Sequence, residues 1–239
     1  AMERTARAVA DFCAEGKKEN ARVLAFATAA VRSSSNGSEF CALVKRLCGL
    51  DVDVVSGEEE AMLGLCGALG HADGGVIDIG GASTEVILRK NGSICMSVSL
   101  PIGAVRILDT CGQSAGLIDA YIAQVLEQLH GTGERVPFCA IGGTASTLAC
   151  MYLALPEYDA AKVNGVRLEL DWVRATALRL LAMSPEERKK IPGMDVRRAD
   201  VIAGATVLLS SVMQKLCLSE VTFSDADNLE GYLFVRDLI

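Results

Sequence analysis

The sequence VIDIGGASTEVIL at residues 76–88 contains the pattern that decides the fold. An apolar run ends near Asp78, a turn built on Gly80 and Gly81 follows, and Glu85 opens the next apolar run. Two apolar runs joined by a short glycine turn are typical of paired strands. A buried aspartate is costly unless it meets a cation or a hydrogen-bond donor. The order of acid, turn and acid therefore predicts a site of chemical function as well as a hairpin.

The glycine turn is suited to binding an anion. Glycines let consecutive backbone N–H groups face an anion without obstruction, and Ser83 and Thr84 can add hydroxyl donors. We expect a phosphate on this turn, bridged to the two carboxylates by a divalent cation. The alternative is an ordinary glycine hairpin whose polar residues are solvated.

The chain around this turn predicts an α/β protein. Apolar runs at 74–80, 83–92 and 93–103 predict an antiparallel meander, in which Asn91-Gly92 is a strong hairpin signal. The elements predicted after the meander are a helix at 118–129, a strand at 136–143, a helix from 144 or 145, a helix at 171–183, a short helix after Ser184, a helix at 198–216, a strand at 220–225 and a helix at 228–239.

The first part of the chain alternates helix and strand, which predicts parallel strands with helical crossovers. The elements predicted there are a helix at 3–15 ended by Gly16, a strand at 21–28, a helix at 40–47 ended by Gly49, a strand at 52–56 and a helix opened by the capping box Ser56–Glu59.

Composition excludes several classes of protein. A net charge of −7 over 239 residues argues against a general nucleic-acid binder. The nine cysteines are scattered without a C-x-x-C motif, and only two histidines accompany them, so they are typical of buried side chains in a reducing compartment. The longest apolar stretch, 201–213, is shorter than the roughly 20 residues of a membrane span, and no apolar leader follows Met2. We expect a soluble cytoplasmic protein without a membrane or nucleic-acid partner.

A second glycine turn lies at IGGTAST, residues 141–147, between a predicted strand and a predicted helix. That arrangement directs the helix N-terminal amides, and the positive end of the helix dipole, at whatever lies in front of the turn. Neither turn matches G-x-x-x-x-G-K-[ST] or G-x-G-x-x-G. These two nucleotide-binding loops are therefore excluded.

Acidic residues cluster in SGEEEA at 56–61. Acids in the first turn of a helix complement its dipole, and this accounts for Glu58 and Glu59 without any further function. Glu60 lies one residue beyond the capping box. It is therefore available as a general base or a water-orienting group.

Basic residues are fewer. Arg32 follows a predicted buried strand and could neutralise developing phosphoryl charge, although a surface arginine is the simpler interpretation. The basic cluster at 187–190 with Arg197 and Arg198 is typical of a solvated face, and a track for a long anion is the alternative.

Seven segments resemble, in order, the exopolyphosphatase and guanosine pentaphosphate phosphatase (Ppx/GppA) family. They are ATAAVRSSSNG (27–37), VVSGEEEA (54–61), VIDIGGASTEVIL (76–88), LPIGAVR (100–106), IGGTASTLA (141–149), RADVIAGA (198–205) and FSDADNLEGYL (223–233). That family belongs to the actin-like, sugar-kinase-like superfamily. The resemblance implies two ribonuclease H-like domains with a cleft between them, and metal-dependent hydrolysis of a terminal phosphoanhydride.

The resemblance also implies roles for individual residues. Glu60 would activate water for in-line attack, and Arg32 would stabilise phosphoryl charge. Asp78 and Glu85 would hold Mg²⁺ directly or through water, with Glu85 a second catalytic carboxylate. The residues that would bind phosphate are Gly80, Gly81, Ala82 and Ser83 in the first turn, with the hydroxyl of Thr84, and Gly142, Gly143 and Thr144 in the second turn, which would serve more distal phosphates.

Three features depart from the family pattern. The opening hairpin that bears Asp-x-Gly-Ser-Asn has no counterpart, Ala82 replaces the usual third glycine, and Leu229 replaces an arginine. Ala82 is tolerable only where that residue does not need a positive φ. Without the hairpin the first domain would leave an open sheet edge, so we expect a truncated first domain or strands supplied by another chain.

The expected domains are a truncated N-terminal domain at 1–71 and a C-terminal domain at 72–239, with the last helix packing back on the first domain. The expected activity is hydrolysis of inorganic polyphosphate, guanosine pentaphosphate, or both, by a chain that can form a homodimer. A non-catalytic phosphate or nucleotide sensor, or partner subunit, is one alternative, and a kinase of the same superfamily is another.

Overall fold

The chain divides into two compact units in the computed structural model, which describes residues 2–130 and 136–239. The units are Ala1–Glu59 and Glu60–Ile239. The helix Gly57–Leu69 begins in the first unit, and its residues from Glu60 onward belong to the second. The sequence-based division into domains at 1–71 and 72–239 assigns all of that helix to the first domain and stays a prediction.

The first unit is built from helices and a two-stranded parallel sheet. Its elements are α1 (Met2–Lys18), β1 (Ala25–Ala27), α2 (Ala29–Arg32), α3 (Gly37–Cys48), β2 (Val52–Val54) and the start of α4 (Gly57–Leu69). The predicted stop at Gly16 is wrong, because α1 continues to Lys18 and Gly16 instead allows a close approach of the Val23 side chain. The predicted stop at Gly49 is confirmed, since that glycine has φ +77° and donates its N–H to the carbonyl of Lys45.

The second unit contains a six-stranded mixed sheet covered by helices. Its strands are β3 (Gly74–Ile79), β4 (Thr84–Lys90), β5 (Ser93–Leu100), β6 (Phe138–Ile141), β7 (Arg167–Glu169) and β8 (Glu220–Phe223). Its helices after α4 are α5 (Ala104–Cys111), α6 (Ala115–Val125), α7 (Gly142–Tyr152), α8 (Ala160–Val163), α9 (Leu170–Leu181), α10 (Pro185–Arg188), α11 (Ile202–Lys215) and α12 (Asn228–Phe234).

The strand order of this sheet is β5-β4-β3-β6-β8-β7. The predicted meander is confirmed, because β3, β4 and β5 pair antiparallel, and Asn91 and Gly92 both have positive φ, 51° and 71°, in the hairpin. Strands β3, β6 and β8 are parallel. The carboxyl ends of β3, β5, β6 and β8 therefore lie at one edge of the sheet, together with the amino end of β4.

Side chains alternate between two faces of the sheet. The larger core cluster covers one face, which includes Ile77 and Val86, and draws on α5, α6, α7, α9 and α11. The other face presents Val76, Ile87 and Ile141, and there Ala61 and Leu65 of α4 pack against it. Because Asp78 shares the face of Val76 and Glu85 that of Ile87, both acids point to the side covered by α4.

Four of these elements were not anticipated from the sequence: the short helices α2 and α8, helix α5 and strand β7. Helix α5 begins directly after the meander, and its first N–H groups donate to carbonyls of the glycine turn, at Gly80 and Gly81. Strand β7 has only three residues and pairs antiparallel with β8 at the sheet margin. None of the described helices combines the length and apolar composition needed to cross a bilayer.

Candidate active site

Three carboxylates belong to the site where the first turn of helix α4 meets the carboxyl edge of the large sheet. Asp78 is the second-last residue of β3 and Glu85 is the second residue of β4, and the antiparallel register places them directly opposite each other. Glu60, in the first turn of α4, is the third acid. The exposed fractions are 8% for Asp78, 2% for Glu85 and 6% for Glu60, so all three acids are buried.

Burial and mutual repulsion change the acidity of two of these groups. Burial, with a further contribution from the charge of Glu60, raises the pKa of Asp78 to about 6, although the hydrogen bond from Asn228 opposes the change. Burial and then the charge of Glu60 raise the pKa of Glu85 to about 7, against the opposing effects of the Ser99 and Ser83 hydroxyls. Buried acids that repel each other are a frequent feature of catalytic and cation-binding sites.

The turn between β3 and β4 has backbone N–H groups that are available to bind a ligand. Its ends are joined by a hydrogen bond from the N–H of Gly80 to the carbonyl of Ser83, 3.0 Å long. Within the described residues, the backbone N–H groups of Gly81, Ala82 and Ser83 donate to no main-chain carbonyl. Ala82 does not have a positive φ, so alanine is compatible with this position of the turn. The turn can therefore receive an anion through three consecutive amides.

The two hydroxyls of this segment have different surroundings. The hydroxyl of Thr84 donates to the carbonyl of Ile102 at 2.7 Å, and the residue is fully buried. Its proton is thus used to fix the segment before α5. Ser83 is also buried, and its hydroxyl interacts with the Glu85 carboxylate, whose pKa it lowers. The main-chain amides are consequently the better candidates for contact with a phosphate.

The second glycine turn lies beside Asp78, because β3 and β6 are parallel neighbours in which Asp78 pairs with Ile141. Gly142 has φ +76°, and a Cβ added to it would lie 2.7 Å from Asp78 Oδ1. Glycine is therefore required here both by its conformation and by the adjacent carboxylate. The Thr144 hydroxyl lies 3.5 Å from the carbonyl of Ile79, and α7 begins at this turn.

Two polar residues of the site were missed in the sequence analysis. Asn228 Nδ2 donates to Asp78 Oδ2 at 2.8 Å, and the Ser99 hydroxyl donates to Glu85 Oε1 at 2.7 Å. Counting back from the Asn91-Gly92 hairpin places Val98 opposite Glu85, and the register shift between Leu88 and Arg89 brings Ser99 there instead. The capping-box spacing of Asp227 and Glu230 would have placed Asn228 at a helix start, but no local signal indicates contact with residue 78.

A cavity of about 410 Å³ adjoins the second turn. Ser146 and Thr147 of α7 line it on one side and Arg197 and Arg198 on another, with Tyr158 also in its wall. Arg198 Nη1 lies 3.3 Å from the Thr147 hydroxyl, and the same guanidinium blocks the space beside Gly143. The cavity thus extends from the second turn towards two arginines, both of which form ion pairs with Asp195 in the same wall.

The remaining predicted residues have structural roles that are visible in the chain. Ser56 and Glu59 form the predicted capping box at the start of α4. Arg32 belongs to the first unit, where its Nη1 donates to the carbonyl of Val55 at 2.6 Å, and its catalytic role stays a prediction. Arg188, from the basic cluster, is 1% exposed and donates to the carbonyls of Leu180 and Ala199, so it does not belong to an exposed anion track.

The donor set at the acids fits a hard divalent cation. Glu85 Oε2 is buried and has no hydrogen-bond partner, and the same is true of Asn228 Oδ1. In the described ranges, no three His, Cys, Asp or Glu side chains are close enough to hold an ion by themselves. Mg²⁺ usually keeps several waters and is bound by one or two carboxylates together with substrate phosphates. Asp78 and Glu85 are sufficient for such an ion.

Comparison with known proteins decides the family. The model of the Ppx/GppA phosphatase family matches residues 1–237 of the chain. This chain belongs to the Ppx/GppA family. Exopolyphosphatase 2 of Mycobacterium tuberculosis is 29% identical over 256 residues, an alignment that covers 97% of this chain and 80% of that protein. A second Ppx/GppA relative, the guanosine-5'-triphosphate,3'-diphosphate pyrophosphatase of Aeromonas salmonicida, is 26% identical over 90% of this chain and 45% of that protein.

Solved structures of Ppx/GppA proteins have the same α/β fold. The Aquifex aeolicus family member is 26% identical and superimposes with a TM-score of 0.83, covering 99% of this chain and 81% of that chain. An exopolyphosphatase from Cytophaga hutchinsonii is 25% identical with a TM-score of 0.84, covering 100% and 83%. The α/β class predicted from the sequence, with its mixed sheet, is confirmed.

Proposed function

We propose that this chain hydrolyses the terminal phosphoanhydride bond of inorganic polyphosphate, guanosine pentaphosphate, or both. The observation that carries the proposal is the meeting of three buried acids with a glycine turn whose amides are available, in a chain of the Ppx/GppA family. Relatives named as an exopolyphosphatase and as a guanosine-5'-triphosphate,3'-diphosphate pyrophosphatase support both substrates.

In this proposal the backbone N–H groups of Gly81, Ala82 and Ser83 bind the non-bridging oxygens of the terminal phosphate. Glu60 accepts a proton from the attacking water, whose oxygen forms the new bond to phosphorus as the bridging P–O bond breaks. Asp78 and Glu85 hold Mg²⁺, which when bound neutralises charge on the phosphate oxygens. The shortened substrate leaves as the anion of the former bridging oxygen.

The second turn and its cavity accommodate the rest of the substrate in the same proposal. Gly142 lies next to Asp78, and Gly143 lies beside Arg198. The cavity lined by Arg197 and Arg198 begins at Ser146 of α7. Cationic side chains beyond the reacting phosphate are suited to the remaining phosphates of a chain. Competition between polyphosphate and guanosine pentaphosphate in one assay measures the preference between the two substrates.

The wider arrangement is also part of the proposal. We propose that the two compact units correspond to ribonuclease H-like domains, and that the chain acts in the cytoplasm with Mg²⁺. All nine cysteines are free, which is the state favoured in a reducing compartment.

The test compares phosphate release by the wild-type chain and by Glu60→Gln, with Mg²⁺ and either polyphosphate or guanosine pentaphosphate. We expect the substitution to lower kcat by at least about 100-fold, because loss of general base catalysis has effects of that order. The matched control is Glu58→Gln, an exposed residue in the same helical turn, which should retain wild-type activity.

Other outcomes separate the alternatives. Binding of either substrate without turnover, unchanged by Glu60→Gln, would support a sensor or partner subunit. Transfer of the phosphate to an added acceptor instead of water would support a kinase. Equal activity of Glu60→Gln and the wild type would refute the role of Glu60 as the base.

A further inference from the structure

The two acids opposite each other in the sheet are held in the same manner. One oxygen of each carboxylate accepts a hydrogen bond from a neutral side chain, Asp78 Oδ2 from Asn228 and Glu85 Oε1 from Ser99. The distances are 2.8 Å and 2.7 Å, within the range of well-formed hydrogen bonds. Neither donor belongs to the residues to which the proposed chemistry gives a role.

The other oxygen of each carboxylate is left without such a bond. Glu85 Oε2 is buried and has no partner, and Asp78 Oδ1 lies beside Gly142, where a Cβ would be 2.7 Å away. In the part of the chain that the structure describes, no lysine, arginine or histidine forms an ion pair with either acid. A neutral donor orients a carboxylate but leaves its charge to be balanced by something else.

The fold places both donors independently. Ser99 is fixed by strand register, since it pairs with Glu85 across β4 and β5 and therefore shares its face. Asn228 is fixed by the start of α12, where Asp227 and Glu230 form a capping box. A glycine in α4 completes the arrangement, because a Cβ on Gly64 would lie 3.0 Å from Asn228 Oδ1.

We propose that Ser99 and Asn228 are positioning residues for a divalent cation: each fixes one oxygen of its acid so that the second oxygen is directed to the ion. The proposal rests on the proposed function for the identity of the site, but it concerns binding of the cation and not turnover. Neutral partners that orient cation ligands commonly change metal affinity by 10- to 100-fold when they are removed.

The test uses the full chain and its Ser99→Ala and Asn228→Leu variants. Each is titrated with Mn²⁺ alone, and the free ion is followed by its electron paramagnetic resonance signal. We expect the Kd of Mn²⁺ to rise about 10-fold or more in each variant. In the hydrolysis assay, the Mg²⁺ concentration for half-maximal rate should rise similarly, with kcat at saturating Mg²⁺ changed less than about 3-fold, because the variants act on ion binding.

Conservative and control variants distinguish positioning from general damage. Ser99→Thr keeps the hydroxyl on a strand that favours β-branched residues, so it should restore the affinity for Mn²⁺. Ser97→Ala, two residues earlier on the same strand, and Leu229→Ala, next to Asn228 and 65% exposed, should leave the affinity unchanged.

The outcomes also separate this proposal from the proposed function. Wild-type affinity for Mn²⁺ in both folded variants would overturn the positioning role, even where hydrolysis is observed. Equal weakening by the Ser97 and Leu229 controls, or no Mn²⁺ binding by the wild type, would overturn it as well. Weakened binding in both variants of a chain that hydrolyses neither substrate would support the positioning role and refute the proposed function.

Discussion

The substitution Glu85→Gln should stabilise the metal-free protein at pH 8 and change its stability little at pH 5. Burial, with the charge of Glu60, raises the pKa of Glu85 from 4.5 to about 7. The folded chain therefore binds this proton more tightly than the unfolded chain, and stability falls as the pH rises from 4.5 to about 7. At about 1.4 kcal/mol for each pKa unit, the charged carboxylate lowers the free energy of unfolding by about 3 kcal/mol at pH 8.

Glutamine keeps the shape of the side chain and cannot ionise. Its carbonyl oxygen can still accept the hydrogen bond from Ser99, whereas its amino group takes the place of the unpartnered Oε2. A buried donor without an acceptor costs about 1 kcal/mol or more. The expected net gain in the free energy of unfolding is about 2 kcal/mol at pH 8, and at pH 5 the two proteins should agree within about 1 kcal/mol.

Urea unfolding in the presence of EDTA, followed by the fluorescence of Trp172, measures the stability difference between the two proteins at pH 8 and at pH 5. Trp172 is the only tryptophan, and it lies in α9 of the second unit with its ring 5.0 Å from that of Tyr152. Glu127→Gln, at an exposed position, is the control and should show the same difference from wild type at both pH values. The reasoning would be refuted by a Glu85→Gln protein that is less stable than the wild type at pH 8. A variant whose free energy of unfolding differs from that of the wild type by the same amount at pH 5 and pH 8 would refute it as well.

Two glycine substitutions give further predictions. Gly231→Ala should lower the free energy of unfolding by about 3 kcal/mol in a urea titration, because its Cβ would overlap a backbone carbonyl of α4. Gly116→Ala is the control: a Cβ there meets open space, so this variant should lose no stability. Gly142→Ala should weaken Mn²⁺ binding and lower kcat/KM by about 10-fold or more, since its Cβ would displace Asp78 Oδ1. Gly165→Ala has a similar positive φ, +83°, without any neighbour within 4 Å, so it should lose stability but keep its affinity for Mn²⁺. Wild-type behaviour of Gly142→Ala in both assays would contradict the proposed arrangement of the second turn.

Elements with strong local signals were predicted correctly. The meander follows from three apolar runs separated by the glycine turn and by Asn91-Gly92, whose positive φ values suit a tight hairpin. The capping boxes at Ser56–Glu59 and Ser184–Glu187 could be predicted from the sequence because each uses side chains three residues apart. In these cases the stabilising contacts lie within a few residues of each other.

Elements that depend on distant partners were not predicted. Helix α5 has only eight residues, and its first N–H groups bond to the turn at Gly80 and Gly81, more than twenty residues earlier. Strand β7 is held by β8, more than fifty residues later. Gly16 was expected to end α1 but lies within it, because the space it leaves is taken by the side chain of Val23.

The sequence by itself determined the α/β class, the family resemblance, and the residue types of the candidate site, since these depend on local periodicity and on short motifs around Asp78 and Glu60. The tertiary structure alone decided which donors meet the acids and how strongly the pKa values are raised. Asn228 is 150 residues from Asp78 in the chain, and burial is a property of the assembled sheet and helix α4. Contacts over such separations are fixed by packing of whole elements, which no single segment encodes.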